Sequence, residues 1–120
     1  MSVRMFKPQF AQLVLSGEKT QTVRPVPKRM PQVGEEISLR EWTGKPYRSK
    51  QRVLKESTIT RVSTVAIYAN EMYLGESILN DEALFRFAKA DGFQSAGDFI
   101  EWFNYQHGLP FTGICIYWKP

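Results

Sequence analysis

The chain has 120 residues with a net charge of +4, and 42% of its residues are hydrophobic. This length fits one domain, residues 1–120, and the apolar content excludes a disordered chain. The only cysteine, Cys115, excludes an internal disulfide, and with one histidine, His107, we expect no metal site and no cofactor. Because the chain has neither a signal-like start nor an apolar run of about 18 residues, we expect a cytoplasmic protein that does not contact the membrane. We also expect a monomer.

The charges are distributed unevenly along the chain. Residues 19–61 carry eleven Lys or Arg against four Glu, whereas residues 62–120 carry three basic residues against seven acidic ones. Such a division favours a basic face able to attract phosphate. An ordinary solvated surface is the alternative, and composition alone does not decide between them.

The first elements lead into a polar stretch. Residues 3–6 can form a strand, and Pro8 suits the first turn of a helix, where its missing N–H costs nothing. The apolar stripe of this helix follows the i, i+3, i+4 spacing: Phe10, Leu13 and Val14. Gly17 can take the left-handed conformation that ends a helix, so the helix delivers the chain directly into residues 17–24.

Residues 17–24, Gly-Glu-Lys-Thr-Gln-Thr-Val-Arg, hold more kinds of polar side chain than any other window of this length. Their threonines favour an extended backbone. In a regular strand Thr20, Thr22 and Arg24 share one face, whereas Lys19 points to the other. Lys19 therefore meets Thr22 only if the chain bends after Gly17.

The middle of the chain reads mainly as strands. Residues 25–31 contain three prolines and are expected to form a loop, and residues 34–42 alternate as a half-buried strand, with Ser38 on its polar face. Residues 43–52 form a polar loop. Residues 54–68 form one or two strands, and residues 71–79 form an extended piece bent at Gly75.

Two further helices and a final strand complete the chain. Asn80 is expected to cap the second helix, Asp91 and Gly92 to break it, and Ser95 to cap the third. The third helix ends near Gly108, and residues 111–118 form the closing strand. The prediction is an α+β, mainly β fold with about five or six strands and three short helices, its sheet curling into a small barrel.

The stretch also carries a family resemblance. Gly17, Lys19 and Arg24 fit the G-x-K-x-x-x-x-R signature of the ASCH domain family. The element order, the Asp91-Gly92-Phe93 turn and a last strand ending in Trp118 resemble many members, so the resemblance covers nearly the whole chain. It implies a PUA-like β-barrel whose cleft binds RNA or a modified nucleoside around the motif.

A small bacterial branch of this family resembles amidohydrolases that deacylate N4-acetylcytidine, and other members are described as ribonucleases. In the deacylases a Lys, a Thr three residues later and a downstream Glu are catalytic. Lys19 and Thr22 match the first two, and Asp91, with a shorter carboxylate, falls near the third. On this hypothesis Thr22 attacks the amide carbonyl, Lys19 takes its proton, and Asp91 protonates the leaving amine.

Seven residues are candidates for contacting RNA or a nucleoside: Gly17, Lys19, Thr20, Arg24, Trp42, Tyr47 and Arg48. Arg24 can hold a phosphate, and the two aromatic rings can stack on bases. Several alternatives remain open: a surface position for Lys19 with an ordinary strand position for Thr22, an internal salt bridge for Arg24, core packing or chance exposure for Trp42 and Tyr47, and a simply mobile, solvated loop around Arg48.

Overall fold

A computed structural model describes residues Met1–Pro120 and contains three helices and seven strands. In chain order these are β1 (Ser2–Met5), α1 (Pro8–Ser16), β2 (Gln21–Arg24), β3 (Glu36–Trp42), β4 (Gln51–Ile67), β5 (Met72–Leu74), β6 (Ser77–Ile78), α2 (Asp81–Ala90), α3 (Ala96–His107) and β7 (Phe111–Trp118). The α+β, mainly β class is confirmed. The strand count of five or six was too low, because residues 71–79 fold into a hairpin of two short strands.

The sheet is mixed and open rather than a closed barrel. β4 lies at its centre: its first half pairs with β3, and its second half pairs with β7 and with β5. β1 pairs in parallel with β3, whereas β2 pairs only with β7. Strands β1 and β2 therefore each have a strand partner on one side only, and their other sides are open edges of the sheet. A single side-chain hydrogen bond, from Arg24 Nη2 to Met5 O at 2.8 Å, crosses between them.

Strand β7 is buried on both faces and divides the interior into two cores. Its residues alternate, so that Ile114 and Ile116 pack with α1, whereas Phe111 and Cys115 pack with α2 and α3. Its nearly continuous apolar sequence, Phe-Thr-Gly-Ile-Cys-Ile-Tyr-Trp, is typical of a strand covered on both sides. Helix α1 thus lies on one side of β7, and helices α2 and α3 lie on the other.

The local start and stop signals act as expected. Gly17 ends α1 with φ 83°, and the side chains of Asn80 and Ser95 accept hydrogen bonds from the first turns of α2 and α3. One expectation for β3 was wrong. Ser38 is fully buried rather than facing solvent, because the Arg40 guanidinium folds over it and donates to its hydroxyl at 2.8 Å.

The helices run for 9, 10 and 12 residues. None of them combines the length and the apolar character that a membrane crossing requires. Their amphipathic faces are instead used against the sheet, where the buried phenylalanines of α3 pack against those of α2 and β7.

We expect Gly113→Ala to destabilise the protein strongly. A Cβ at this position would overlap the carbonyl oxygen of Arg24 and come within 2.9 Å of the Phe111 ring, so β2 could not keep its pairing with β7. Overpacking of this kind costs about 1–3 kcal/mol. Urea denaturation measures the loss. Gly97→Ala, whose nearest neighbouring atom is 3.8 Å away, is the matched control and should lose no stability. Equal stability of the two variants would contradict the packing described here.

Candidate functional site

A cleft of about 250 Å³ opens beside the unpaired edges of β1 and β2. Elements from both halves of the chain supply its walls, namely the β1–α1 connection, the loop and strand after α1, and the α2–α3 layer. Its lining residues are Met5, Phe6, Lys7, Phe10, Lys19, Thr22, Val23, Arg24, Pro25, Asp91, Phe93, Trp102, Phe103, Gln106 and His107. Aromatic and apolar side chains therefore surround a small number of polar groups, which is the usual make-up of a ligand site.

Lys19 reaches this cleft because it lies outside strand β2. After Gly17 reverses the chain, the Lys19 N–H donates to Leu13 O at 2.9 Å and the Thr20 N–H donates to Ala90 O at 3.0 Å. Strand β2 begins only at the next residue. The bend that brings Lys19 and Thr22 into the same cleft is thus formed by the Gly17–Thr20 segment, which is held between α1 and the end of α2.

Lys19 and Asp91 form a buried pair on one side of the cleft. Both residues are 3% exposed, and Lys19 Nζ lies 3.6 Å from Asp91 Oδ2 while also donating to the Asp91 carbonyl oxygen. The ammonium packs over the ring of Phe10, 5.0 Å from its centroid. Gly92 follows with φ 98°, and a Cβ at this position would lie 3.3 Å from Lys19 Cδ, so a larger residue there would crowd the Lys19 side chain.

Burial moves both pKa values toward neutrality. The pKa of Asp91 rises to about 6, chiefly because burial disfavours its charged form, with Lys19, Gln21 and Arg24 opposing the rise. The pKa of Lys19 falls, again chiefly through burial, and the Asp91 charge opposes the fall. The Asp91 carboxyl, perturbed in this way, can exchange a proton with a ligand near neutral pH.

Arg24 is a partly buried cation with no carboxylate within 4 Å. Its Nε donates to Thr22 Oγ1 at 2.9 Å, its Nη2 donates to Met5 O, and its guanidinium lies 5.0 Å from the centroid of the Phe6 ring. Burial, aided by the charge of Arg4, lowers its pKa to about 10. An internal salt bridge, one alternative for this residue, does not form. The remaining N–H groups of Arg24 are therefore available for an acceptor on a ligand.

The polar groups of the cleft are arranged in two pairs. Thr22 accepts its hydrogen bond from Arg24, whereas Lys19 donates to Asp91, and no hydrogen bond joins Lys19 directly to Thr22. Two buried atoms beside the Lys19–Asp91 pair, Gln21 Nε2 and Asp91 Oδ1, make no hydrogen bond of ordinary geometry. The Gln21 side chain nevertheless interacts with Asp91 and lowers the pKa of its carboxyl, and Gln21 does not line the cleft. These two atoms therefore do not by themselves mark a ligand position.

Helix α3 supplies the rim of the cleft, which sequence analysis missed. Lys7 Nζ donates to Gln106 Oε1 at 3.3 Å and lies 5.5 Å from the centroid of the Trp102 ring. His107, which the sequence analysis considered only as a metal ligand, is exposed on this rim and stacks on Phe103. The amphipathic pattern of α3 revealed which of its side chains pack inward. It contained no signal that this helix lies opposite the β1–α1 connection.

The other predicted residues lie elsewhere. Gly17 and Thr20 shape the backbone next to the cleft but do not line it. Trp42, Tyr47 and Arg48 belong to the β3–β4 hairpin and are absent from the cleft walls. No group of three or more His, Cys, Asp or Glu side chains is placed to hold a metal ion. The candidate site is therefore a compact set of Lys, Thr, Arg and Asp side chains with aromatic neighbours.

Comparison of the chain with protein-family models, with curated proteins and with solved structures finds no match. The geometry of the cleft is consequently the basis for assigning a function. Its three informative features are the aromatic walls, the uncompensated Arg24 guanidinium and the buried Lys19–Asp91 pair.

We predict that Lys19→Met raises the pKa of Asp91 above about 6. The Lys19 charge is the strongest influence lowering that pKa, and its removal leaves burial opposed only by weaker partners. Carbon-13 NMR titration of the Asp91 carboxyl carbon measures the shift, with the other aspartate resonances as internal references. An unchanged or lower pKa in the variant would show that the two groups do not interact as described.

Proposed function

We propose that this chain is an ASCH-type protein with a PUA-like fold that binds RNA or a modified nucleoside in the cleft. One observation carries the proposal: Lys19, Thr22, Arg24 and Asp91 line a single cleft together with aromatic side chains. The two charged positions of the G-x-K-x-x-x-x-R signature, Lys19 and Arg24, are thus both in the cleft. The α+β, mainly β class agrees with the resemblance, whereas the sheet is open and not the closed barrel that the resemblance implies.

The size and walls of the cleft favour a planar, polar ligand. A volume of about 250 Å³ lies near the lower end of the range for small-molecule sites, so it suits one base or nucleoside rather than a longer segment. The rings of Phe6, Phe10 and Trp102 offer surfaces against which a heterocycle can pack. Recognition of single-stranded RNA commonly combines such aromatic contacts with hydrogen bonds to the edge of a splayed base.

Arg24 supplies the main polar recognition in this proposal. Its forked donors suit the oxygens of a carbonyl or a phosphate, and no carboxylate of the protein competes for them. Asp91, which also lines the cleft, then provides a carboxyl group beside the motif. A pyrimidine edge, which presents donors and acceptors side by side, matches this combination.

A second candidate function is a metal-free amidohydrolase acting on N4-acetylcytidine. It is favoured by the perturbed pKa values of Lys19 and Asp91 in the same cleft as the Thr22 hydroxyl. Neutral Lys19 would accept the Thr22 proton as Oγ1 attacks the acetyl carbonyl, and Arg24 would stabilise the oxyanion. Protonated Asp91 would donate to the departing cytosine amine as the C–N bond breaks. Water would then hydrolyse the acetyl-threonine ester and release acetate.

We expect Arg24→Gln to weaken nucleoside binding by about 10- to 150-fold, since a hydrogen bond to a charged group contributes about 1.5–3 kcal/mol. Isothermal titration calorimetry with cytidine and N4-acetylcytidine measures the affinity. Arg86→Gln, which removes an exposed guanidinium that is paired with Glu82 on α2, is the matched charge control. If neither nucleoside binds the unmodified protein, or if both variants bind as it does, the binding proposal fails.

Catalysis has a separate test. Incubation of the protein with N4-acetylcytidine should release cytidine and acetate, and chromatography measures both products. Thr22→Val removes the nucleophile and Lys19→Met the base, and each should reduce turnover at least about a hundredfold, the usual effect of losing acid–base catalysis. Thr22→Ser keeps a hydroxyl and should retain measurable activity. An unmodified protein that binds the nucleoside but leaves it intact over hours would eliminate the amidohydrolase and retain the binding function.

A further inference from the structure

The turn of the β3–β4 hairpin, residues 43–50, is ordered by its own hydrogen bonds. Thr43 N–H and Thr43 Oγ1 both donate to Lys50 O, at 2.9 and 2.8 Å. Ser49 Oγ accepts from the Gly44 N–H at 2.9 Å and donates to Lys45 O at 2.9 Å. These contacts close the loop on both sides.

This ordered turn presents cations that no carboxylate neutralises. Lys45, Arg48 and Lys50 are exposed, and none has an acidic group within 4 Å. By contrast, Arg52 at the base of the hairpin is paired with Glu41. Three unpaired positive charges within six residues form a local field that favours a polyanion.

An aromatic pair lies among these cations. Tyr47 is 88% exposed, and its ring centroid is 5.1 Å from that of Trp42, which is itself partly exposed. Tyr47 also has φ 63°, a left-handed conformation that is unfavourable for an aromatic residue. Apart from its contact with Trp42, the exposed Tyr47 ring buries little area against the fold. It does provide a stacking surface of the type that binds unpaired bases.

The hairpin begins close to the cleft. Strand β3 runs parallel to β1, with Arg40 opposite Met5, and the Phe6 N–H donates to Arg40 O at 2.8 Å. Met5 and Phe6 are walls of the cleft. Trp42 follows Arg40 by two residues, or about 7 Å along an extended strand. A chain with one base in the cleft can therefore continue along the hairpin.

We propose that Trp42, Lys45, Tyr47, Arg48 and Lys50, here termed the hairpin surface, bind the backbone and one unstacked base of single-stranded nucleic acid. The three cations contact phosphates, and the Tyr47 ring stacks on a base next to the one held in the cleft. The physiological ligand of the cleft is then a nucleotide within a strand. This last statement rests on the proposed function, whereas the hairpin surface stands on its own contacts.

Fluorescence anisotropy with labelled ten-nucleotide oligo-U and oligo-dT tests the hairpin surface across a series of salt concentrations. Lys45→Gln/Arg48→Gln/Lys50→Gln should reduce the slope of log affinity against log salt by about two, since each single-strand phosphate contact contributes about 0.7. Tyr47→Asn removes the ring while suiting the left-handed backbone, and it should weaken binding about 5- to 150-fold, the range for loss of one stacked base. Thermal melts verify that both variants remain folded.

The matched control is Lys28→Gln/Lys89→Gln/Lys119→Gln, which removes the same charge from exposed positions outside the hairpin. It should keep the salt slope and most of the affinity. The proposal is overturned if the unmodified protein binds neither oligonucleotide at low salt, or if hairpin and control variants weaken binding equally. It is also overturned if anionic phospholipid vesicles bind the hairpin and oligo-U does not displace them. Binding of either oligonucleotide through the hairpin supports it, and the preferred sugar identifies RNA or DNA.

Titration of free cytidine into the hairpin variants separates this proposal from the function of the cleft. Cytidine affinity should be unchanged in Tyr47→Asn, because Tyr47 is outside the cleft walls. Hairpin-dependent oligonucleotide binding without nucleoside binding would retain the hairpin surface and reject the cleft as a nucleoside site. If cytidine binds but the hairpin variants bind the oligonucleotides as the unmodified protein does, the cleft is retained as a nucleoside site and the hairpin surface is rejected.

Discussion

The contact between Lys19 and Asp91 holds the candidate site together. These residues lie 72 positions apart, and both are almost completely buried. Burying two charges is costly unless they are paired and hydrogen-bonded, so removing either partner would leave an uncompensated charge. The pair joins the segment after α1 to the end of α2, and the adjacent backbone bond from Thr20 to Ala90 reinforces this junction. The cleft is consequently formed only when the first and last parts of the chain are both in place.

The open sheet also shapes the cleft. Strands β1 and β2 do not pair with each other, and residues from both strands line the cleft between the sheet and the helices. Instead the Arg24 side chain crosses between these edges and reaches Met5 O, while its other donors remain free. Gly113 permits the close approach of β7 to the Arg24 carbonyl that this position requires. An incomplete sheet thus supplies a concave site without any loss of pairing in its central strands.

Features encoded by neighbouring residues were predictable from the sequence. The Gly17 stop, the Asn80 and Ser95 caps and the closing strand from residue 111 depend on short-range preferences, and each is present. The open edge was not predictable, because strand pairing between distant segments leaves little trace in local pattern. For the same reason, proximity in sequence to a basic run placed Trp42 with the motif, although Trp42 does not line the cleft. The opposed α3 aromatics gave no signal because an inward-packing stripe looks the same whether or not it borders a cleft.

The basic character of residues 19–61 separates into two physically different groups. Lys19 is buried and Arg24 partly buried against aromatic rings, where charge acts at short range and is screened less by salt. The exposed cations of the hairpin act through water, where the screening length is about 8 Å at physiological ionic strength. The first group can select a ligand by its hydrogen-bonding groups, whereas the second can only attract and align a polyanion. Because the hairpin extends from β3 beside Met5, the same ligand can meet both groups in succession, first by attraction and then by selection.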